Sequence, residues 1–329
     1  LGDVYKRQGI SCSIQGISDR AINFTNRLKT LFAGILRLVV AGSRDVHGHE
    51  AFSGWQIQAF TIKARGAQGH DVTQFGRIVD STFRSVNNLL EKFHQSFFFY
   101  LMLSPKHFVS IGTYLPSAVL LAVAYALGAL NTILNTGIEL DQIPHSLTRL
   151  LVVAVVAEVI CVVLSVIIPQ ASVDMLEYVP MALLILPVFV AKSRSQSSNT
   201  TSFALIGLAL LIIAFLITAL LIVHFALALT IGLLAIPLTF VPTVIQTNKK
   251  LAILCLFVSN PFLVFVLANG YFGEDFFANL IASWNQLQCW TWLVIILGWF
   301  PAWLMIAYAT TGISSIGAKE EKREMEEKL

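Results

Sequence analysis

The stretch FALIGLALLIIAFLITALLIVHFALALTIGLLAIPLTFVPTV, residues 203–244, contains no Asp, Glu, Lys or Arg. A helix that crosses about 30 Å of hydrocarbon needs roughly 20 apolar residues, because each residue rises about 1.5 Å. The stretch is about twice that length, and only His224 and the region of Pro237 and Pro242 interrupt it. It therefore predicts two membrane-spanning helices joined by a tight turn.

The composition of the whole chain agrees with a membrane protein. Hydrophobic residues make up 56% and charged residues only 12%, whereas a soluble domain carries about 25% charged residues. Charged residues are common before Lys106 and after Lys319 and scarce between them. The net charge of +3 is small and spread out, so nucleic acid is not expected as a partner.

Seven stretches have about the length and apolarity of a membrane span. They are residues 108–134, 147–168, 175–191, 203–225, 227–244, 251–269 and 290–310. The sequence thus predicts a mainly α fold, a polytopic transmembrane bundle of about seven helices at residues 107–312, with a charged tail at 313–329.

The region before the bundle has the patterns of water-facing sequence. We expect residues 1–8, LGDVYKRQ, to be non-native and the rest to be the C-terminal part of a longer protein. Apolar spacing predicts a helix at 19–40, a β-prone run predicts a strand at 55–62, and a helix is predicted from Asp71 to about Phe97. Residues 9–106 then resemble the end of an α/β domain with a juxtamembrane helix.

Charges at the ends of the predicted spans suggest an orientation. Lysine and arginine follow the third, fifth and seventh spans, at Lys192, Arg194, Lys249, Lys250 and the tail. The acidic residues 273–275, Asp174 and the N-terminal region lie on the other side. Because cytosolic loops are rich in Lys and Arg, the tail is predicted to be cytosolic and the N-terminal part luminal or extracellular.

Two glycosylation sequons test this orientation. Asn23-Phe-Thr25 lies on the predicted luminal side, so Asn23 is a candidate glycosylation site. Asn199-Thr-Thr201 lies on the predicted cytosolic side and is expected to stay bare.

Glu158 lies in the middle of the second predicted span. An ionised carboxylate there costs several kcal/mol unless it is paired or hydrated. It indicates either a functional site inside the bundle or a hydrogen-bonding residue that holds helices together.

The last predicted span contains Pro301 between Trp299, Phe300 and Trp303. Tryptophan near the middle of a membrane does not act as an interfacial anchor, and proline kinks a helix. Trp299, Pro301 and Trp303 therefore suggest the border of a lipid or glycolipid pocket, although simple kinking explains most transmembrane prolines.

The sequence has no motif of a self-sufficient enzyme. His47, His49 and Glu50 are too close in sequence to surround one ion without a further ligand, so we expect no metal site and no cofactor. A nucleophile elbow, a phosphate loop and an HExxH stretch are all missing.

The runs FRSVNNLLEKFHQSFFFYLMLSP, residues 83–105, and FVSIGTYLP, residues 108–116, closely resemble the GPI-anchor attachment protein (GAA) family. The resemblance extends back through residues 54–62 and, more loosely, forward through the bundle. Members of this family are subunits of the GPI transamidase. In it, a luminal domain shaped like an M28 metallopeptidase precedes seven transmembrane helices.

This resemblance implies a non-catalytic subunit in the endoplasmic reticulum membrane that helps to recognise the GPI lipid and to hold the complex together. A cysteine-protease subunit attaches the lipid to precursor proteins, and luminal scaffold subunits and a multi-pass membrane subunit complete the complex. Pro301 matches a family proline linked to GPI recognition. His94 and Gln95 match a juxtamembrane motif and are expected to contact the catalytic subunit.

Two other classes of function remain open from the residues alone. Glu158 and the interrupted helices would suit a secondary transporter or lipid translocase, but the two halves of the bundle show no internal repeat. The N-terminal region would suit a metallopeptidase-like enzyme if the complete domain held metal.

Overall fold

The structure is a computed structural model. It describes residues 13–14, 17–18, 23–40, 49, 52, 55, 57, 59–64, 72–87, 101–104, 107–134, 143–192, 199–272 and 276–313.

Helices dominate the described residues. Before the bundle they are α1 (Phe24–Val40) and α2 (Val72–Asn87). The bundle contains α3 (Ile111–Leu134), α4 (Ile143–Ile167), α5 (Val173–Leu176), α6 (Val179–Lys192), α7 (Asn199–Val223), α8 (Phe225–Leu234), α9 (Ile236–Thr247), α10 (Lys249–Val258), α11 (Pro261–Phe272), α12 (Phe276–Leu287), α13 (Thr291–Leu293) and α14 (Phe300–Thr311). A π-helical segment, Val294–Trp299, joins α13 to α14.

A short 3-10 helix (Ile168–Gln170) after α4 and two short antiparallel hairpins complete the described elements. Strand β1 (Ser13–Ile14) pairs with β2 (Ile17–Ser18), and β3 (Leu101–Ser104) pairs with β4 (His107–Val109). The β3–β4 hairpin comes directly before α3, and α1 packs against β3 and α8.

The helices confirm a mainly α, polytopic bundle. Five segments are long and apolar enough to cross a membrane: Gly112–Leu134, Leu147–Gln170, Asn199–Val223, Phe225–Thr247 and Thr291–Thr311. A sixth candidate span consists of α10 and Pro261–Leu267, which meet at an angle of 64° across a short break. The span predicted at 175–191 forms α6, whose 14 residues rise only about 21 Å. It is shorter than predicted and does not match the thickness of the hydrocarbon by itself.

We call the end of the bundle at which the last span begins the proximal end. Side-chain contacts show which other parts of the chain lie there. The rings of Trp55 and Trp290 lie edge to face with centroids 5.1 Å apart. The side-chain amide of Asn285 donates a hydrogen bond of 2.9 Å to the carbonyl of Pro169, just after α4. The N-terminal region therefore contacts the end of the bundle at which α4 ends and the last span begins.

The opposite, distal end is marked by a bond between α10 and the end of the last span. The Lys249 ammonium donates to the carbonyl of Ile313 over 3.3 Å. Helix α7 begins near this end, since the span that follows it after the turn at His224, Phe225–Thr247, returns to Lys249. The chain must therefore return from the proximal end at Pro169 to the distal end before α7, and α6 is the helix that lies on this path.

Small residues let α3 and α7 approach closely. Buried alanines line α3 at Ala118, Ala122 and Ala129. A Cβ atom on Gly207 would lie 2.5 Å from Cγ1 of Ile133 and 3.3 Å from the Ala129 carbonyl oxygen. Because helices in lipid associate mainly by van der Waals packing, such close contacts hold them together.

The turn predicted inside residues 203–244 is present. His224 separates α7 from α8, and its Nδ1 accepts a hydrogen bond of 3.1 Å from the backbone N–H of Leu227. Helix α8 ends before Pro237, which leaves its last carbonyls without helical partners. The Tyr125 hydroxyl donates to one of them, the Gly232 carbonyl, over 2.8 Å.

Two features of the N-terminal region differ from the prediction. The strand predicted at 55–62 is wrong for the described residues of that stretch, which belong to no sheet. A strand needs a neighbour for its backbone groups, and none pairs with it in the described part. The helix predicted from Asp71 to about Phe97 is described at Val72–Asn87, while residues 88–100 lie outside the described set. The α/β domain itself stays a prediction.

We expect Gly207→Ala to lower the thermal stability of the purified protein in detergent. The new methyl group would overlap Ile133, and overpacking of this kind costs about 1–3 kcal/mol. Gly128→Ala is the matched control, since a Cβ at Gly128 meets nothing within 4 Å. Equal melting temperatures for the two variants would contradict the close contact between α3 and α7.

Candidate functional site

The last span is interrupted at its centre. A π-helical segment, Val294–Trp299, precedes α14, and Pro301 stands in the first turn of α14. Proline has no N–H, and its ring crowds the carbonyl four residues earlier, here that of Leu297. A widened π-helical turn accommodates both the missing N–H and the crowded carbonyl. π-Bulges in helices often accompany functional sites.

Trp299, Pro301 and Trp303 lie in the packed interior of the bundle. The tryptophans are 3% and 2% exposed, and Pro301 is also buried. The Trp303 Nε1–H donates a hydrogen bond of 2.9 Å to the carbonyl of Leu256. The structure thus brings the three predicted residues together, at a position that a lipid reaches only if neighbouring helices part.

The partner of Trp303 belongs to a second interruption. Helix α10 ends at Val258, and Asn260 precedes α11, which begins at Pro261. The backbone N–H of Asn260 bonds to the Phe257 carbonyl rather than to that of Leu256. The Leu256 carbonyl is therefore left without its helical donor, and the indole of Trp303 supplies one.

Asn260 caps the second half of the broken span. Its Oδ1 accepts a hydrogen bond of 2.8 Å from the backbone N–H of Phe262. Its Nδ2 is buried and has no acceptor among the described residues, and the same holds for Nε1 of Trp299. Two N–H groups can therefore donate to an oxygen acceptor that the described part of the chain does not supply.

These two donors belong to neighbouring parts of the bundle. The pairs Lys249–Ile313 and Leu256–Trp303 run in opposite directions along α10 and the last span. The rings of Phe262, two residues after Asn260, and Phe300, next to Trp299, are perpendicular with centroids 4.9 Å apart. The two interruptions therefore lie against each other.

Aromatic rings surround the two interruptions. Phe277 lies edge to face with Phe262 at 6.1 Å and with Trp292 at 5.7 Å. Phe300 and Trp303 lie nearly parallel with centroids 5.9 Å apart. Among the described residues the site is therefore mostly apolar, with a few N–H groups and the Ser259 hydroxyl as its polar groups. This suits a lipid better than a charged solute.

The other predicted site residues lie elsewhere. Glu158 is exposed on the outer surface of α4, not in the interior of the described bundle. Asn23 is exposed immediately before α1. His94 and Gln95 lie outside the described residues, so their expected contact with a catalytic subunit stays a prediction.

The described residues contain no group of three or more His, Cys, Asp or Glu that could hold a metal ion. Nδ1 of His49 lies 2.9 Å from the hydroxyl of Thr61. His47 and Glu50, the other members of that loop cluster, lie outside the described set.

Sequence reasoning missed Asn260 and the break beside it. The signal was the Ser259-Asn260-Pro261 triplet within an apolar run. Asparagine before proline favours the start of a turn, yet the length of residues 251–269 favoured one continuous helix.

A matched pair of variants tests the hydrogen bond of Trp303. Trp303→Phe should destabilise the purified protein by about 1 kcal/mol more than Trp299→Phe. The first variant leaves the Leu256 carbonyl with only the Ser259 hydroxyl at 3.2 Å, whereas the second removes an N–H without an acceptor. Thermal melts in detergent measure the difference, and a larger loss in Trp299→Phe would refute this account.

Comparison with known proteins gives a consistent result. The family model "Gaa1-like, GPI transamidase component" matches residues 2–307. The "GPI transamidase component GAA1" of Saccharomyces cerevisiae is 34% identical over 374 aligned residues, covering 98% of this chain and 60% of the relative. The "GPI transamidase component gaa1" of Schizosaccharomyces pombe is 29% identical over 235 residues, covering 70% of this chain and 38% of the relative.

The chain therefore spans less than two thirds of the length of these relatives. Because the family model covers nearly all of it and the S. cerevisiae relative aligns with almost its whole length, the chain belongs to the Gaa1-like family of GPI transamidase components.

Proposed function

We propose that this chain is part of a non-catalytic subunit of the GPI transamidase complex in the endoplasmic reticulum membrane. The subunit helps to recognise the GPI lipid and holds the complex together while anchors are attached to precursor proteins. Membership of the family supports the assignment to this complex. The lack of catalytic motifs in the sequence favours a non-catalytic role within it. The chemistry is assigned to the cysteine-protease subunit.

The paired interruptions at Asn260 and Trp299 carry the proposal of lipid recognition. A buried donor without an acceptor costs about 1–3 kcal/mol, and both residues bury such a donor in the described structure. An oxygen of the GPI lipid that entered between α10–α11 and the last span would accept these N–H groups. Both elements already have interrupted backbone ladders at this level, so parting them breaks few backbone hydrogen bonds.

The depth of the donors also fits a lipid from the proximal leaflet. Trp299 lies about 12 Å along the helix axis from Thr291, in the proximal half of the span Thr291–Thr311. Glycerol-linked oxygens of a lipid drawn slightly into the bundle would come within reach, while its acyl chains would meet the aromatic rings.

Replacement of Pro301 tests this role. In Pro301→Leu the complex should assemble normally but retain less GPI in a pull-down, because leucine restores an N–H for the Leu297 carbonyl and removes the need for a widened turn. Pro116→Leu, at an exposed position in α3, is the control and should retain GPI as wild type does. Unchanged retention in Pro301→Leu would count against the site.

The proposed orientation has the proximal end in the lumen. Lys249 and Lys250 begin α10 at the distal end, whereas Asp174 and Glu177 lie exposed between α4 and α6, near the proximal end. This distribution agrees with the excess of Lys and Arg that cytosolic loops carry. In this orientation the N-terminal region faces the lumen, where luminal scaffold subunits and the catalytic subunit would meet it.

Glycosylation distinguishes the two possible orientations. Asn23 is exposed next to α1, so cells should add a glycan there, and endoglycosidase should shift the band of wild type but not of Asn23→Gln. Asn199, at the start of α7 on the distal side, should carry no sugar. A shift that disappears in Asn199→Gln would reverse the orientation.

A further inference from the structure

The outer flank of α4 carries a continuous exposed stripe. Leu151, Val155, Glu158 and Val162 are all exposed, and their spacing of four, three and four residues puts them on one side of the helix. The same 3–4 spacing forms the seam between helices in a coiled coil. We call these four residues the Glu158 stripe.

The side of α4 next to the stripe is already occupied. Ala157 and Cys161 are buried at 7% and 0% exposure, and Nε1 of Trp292 in the last span donates to the Ser165 carbonyl over 3.4 Å. The last span therefore fixes the rotation of α4 about its axis. This rotation leaves the Glu158 stripe at the outer edge of that contact.

Glu158 stands at the centre of its span, Leu147–Gln170. It is the only Asp, Glu, Lys or Arg near the middle of the five long spans, since Arg149 lies close to the end of the same one. Within the described parts of the chain, no hydrogen bond or ion pair satisfies its carboxyl group. A charged side chain at the middle of a bilayer costs at least about 2.5–3.5 kcal/mol, and acyl chains offer no donor.

We propose that the Glu158 stripe is the docking surface for a transmembrane helix of another subunit of the complex, which presents a hydrogen-bond-donating side chain to Glu158. An amide, hydroxyl or basic group at mid-membrane depth has the required chemistry. This inference rests on the proposed function only in assuming assembly with other membrane subunits, and it does not depend on lipid recognition at Trp299.

A second copy of this chain fits the stripe poorly. Two copies related by a twofold axis along the membrane normal would bring their Glu158 carboxyl groups together at one depth. Two carboxylates in such a site cannot both ionise, so the pair is satisfied only while one of them stays protonated and donates to the other. A different chain with a complementary side chain removes the cost for both partners.

Photo-crosslinking in membranes of cells that make the whole complex tests the proposal. A photoreactive phenylalanine analogue replaces Val162, on the stripe, or Ile160 as the control. The two sites are 46% and 43% exposed and nearly equal in depth, but they point about 160° apart. We expect an adduct with another membrane subunit from position 162 and little from 160.

The yield of this adduct also tests the contribution of Glu158 to the contact. Glu158→Leu should lower the yield from position 162 about threefold or more, as expected for the loss of one interhelical hydrogen bond in a membrane. Glu158→Gln keeps a carbonyl acceptor and should lose less. Val156→Leu, at an exposed position off the stripe, should leave the yield unchanged.

Several outcomes would overturn the proposal. They are an adduct within the same chain, an adduct with a second copy, equal labelling from positions 160 and 162, and equal yields in Glu158→Leu and Val156→Leu. A crosslinked partner peptide without a donor side chain within one helical turn would also reject it. GPI retention, measured in the same membranes, separates failure here from failure of the lipid site.

Discussion

The hydrogen bond between Trp303 and the Leu256 carbonyl joins two helices that are both interrupted inside the bundle. Lipid offers no water to unpaired backbone groups, so each broken ladder must find its hydrogen-bond donors and acceptors within the protein. Tyr125 meets the same requirement at Gly232, and Asn260 meets it at Phe262. The irregular backbone of this bundle is therefore maintained by a few side chains that reach across to neighbouring helices.

The same breaks also leave some polar groups of the described bundle without a hydrogen-bond partner. The carbonyls of Gly232 and Leu256 and the N–H of Phe262 receive side-chain partners. The side-chain donors of Asn260 and Trp299 do not receive one within the described residues. Tyr125 and Trp303 bind carbonyl groups that the breaks leave free, whereas Asn260 and Trp299 have spare N–H groups. The same two breaks thus produce both the stability of the interior and the unsatisfied positions to which we assign ligand binding.

Apolar length predicted most of the architecture. The uncharged run at residues 203–244 specified two helices and the turn at His224, and the resemblance of residues 83–116 to the GAA family is confirmed by the family match. The widened turn before Pro301 and the bend beside Asn260 were not predicted, because hydrophobic length is the same for a straight and a broken helix. The outward position of Glu158 depends on the rotation of α4, and the nearly uniform apolarity of that helix gives no preferred face from which to infer it.

The brevity of α6 has a consequence for the surrounding lipid. Its 14 residues rise about 21 Å, several ångströms less than an average hydrocarbon core. Met181 and Ile185 on this helix are exposed at 52% and 49%. A bilayer that α6 crosses must therefore become thinner beside it, or another helix must cover it there. A thinner bilayer lowers the barrier for a lipid headgroup to move inward on that side of the protein.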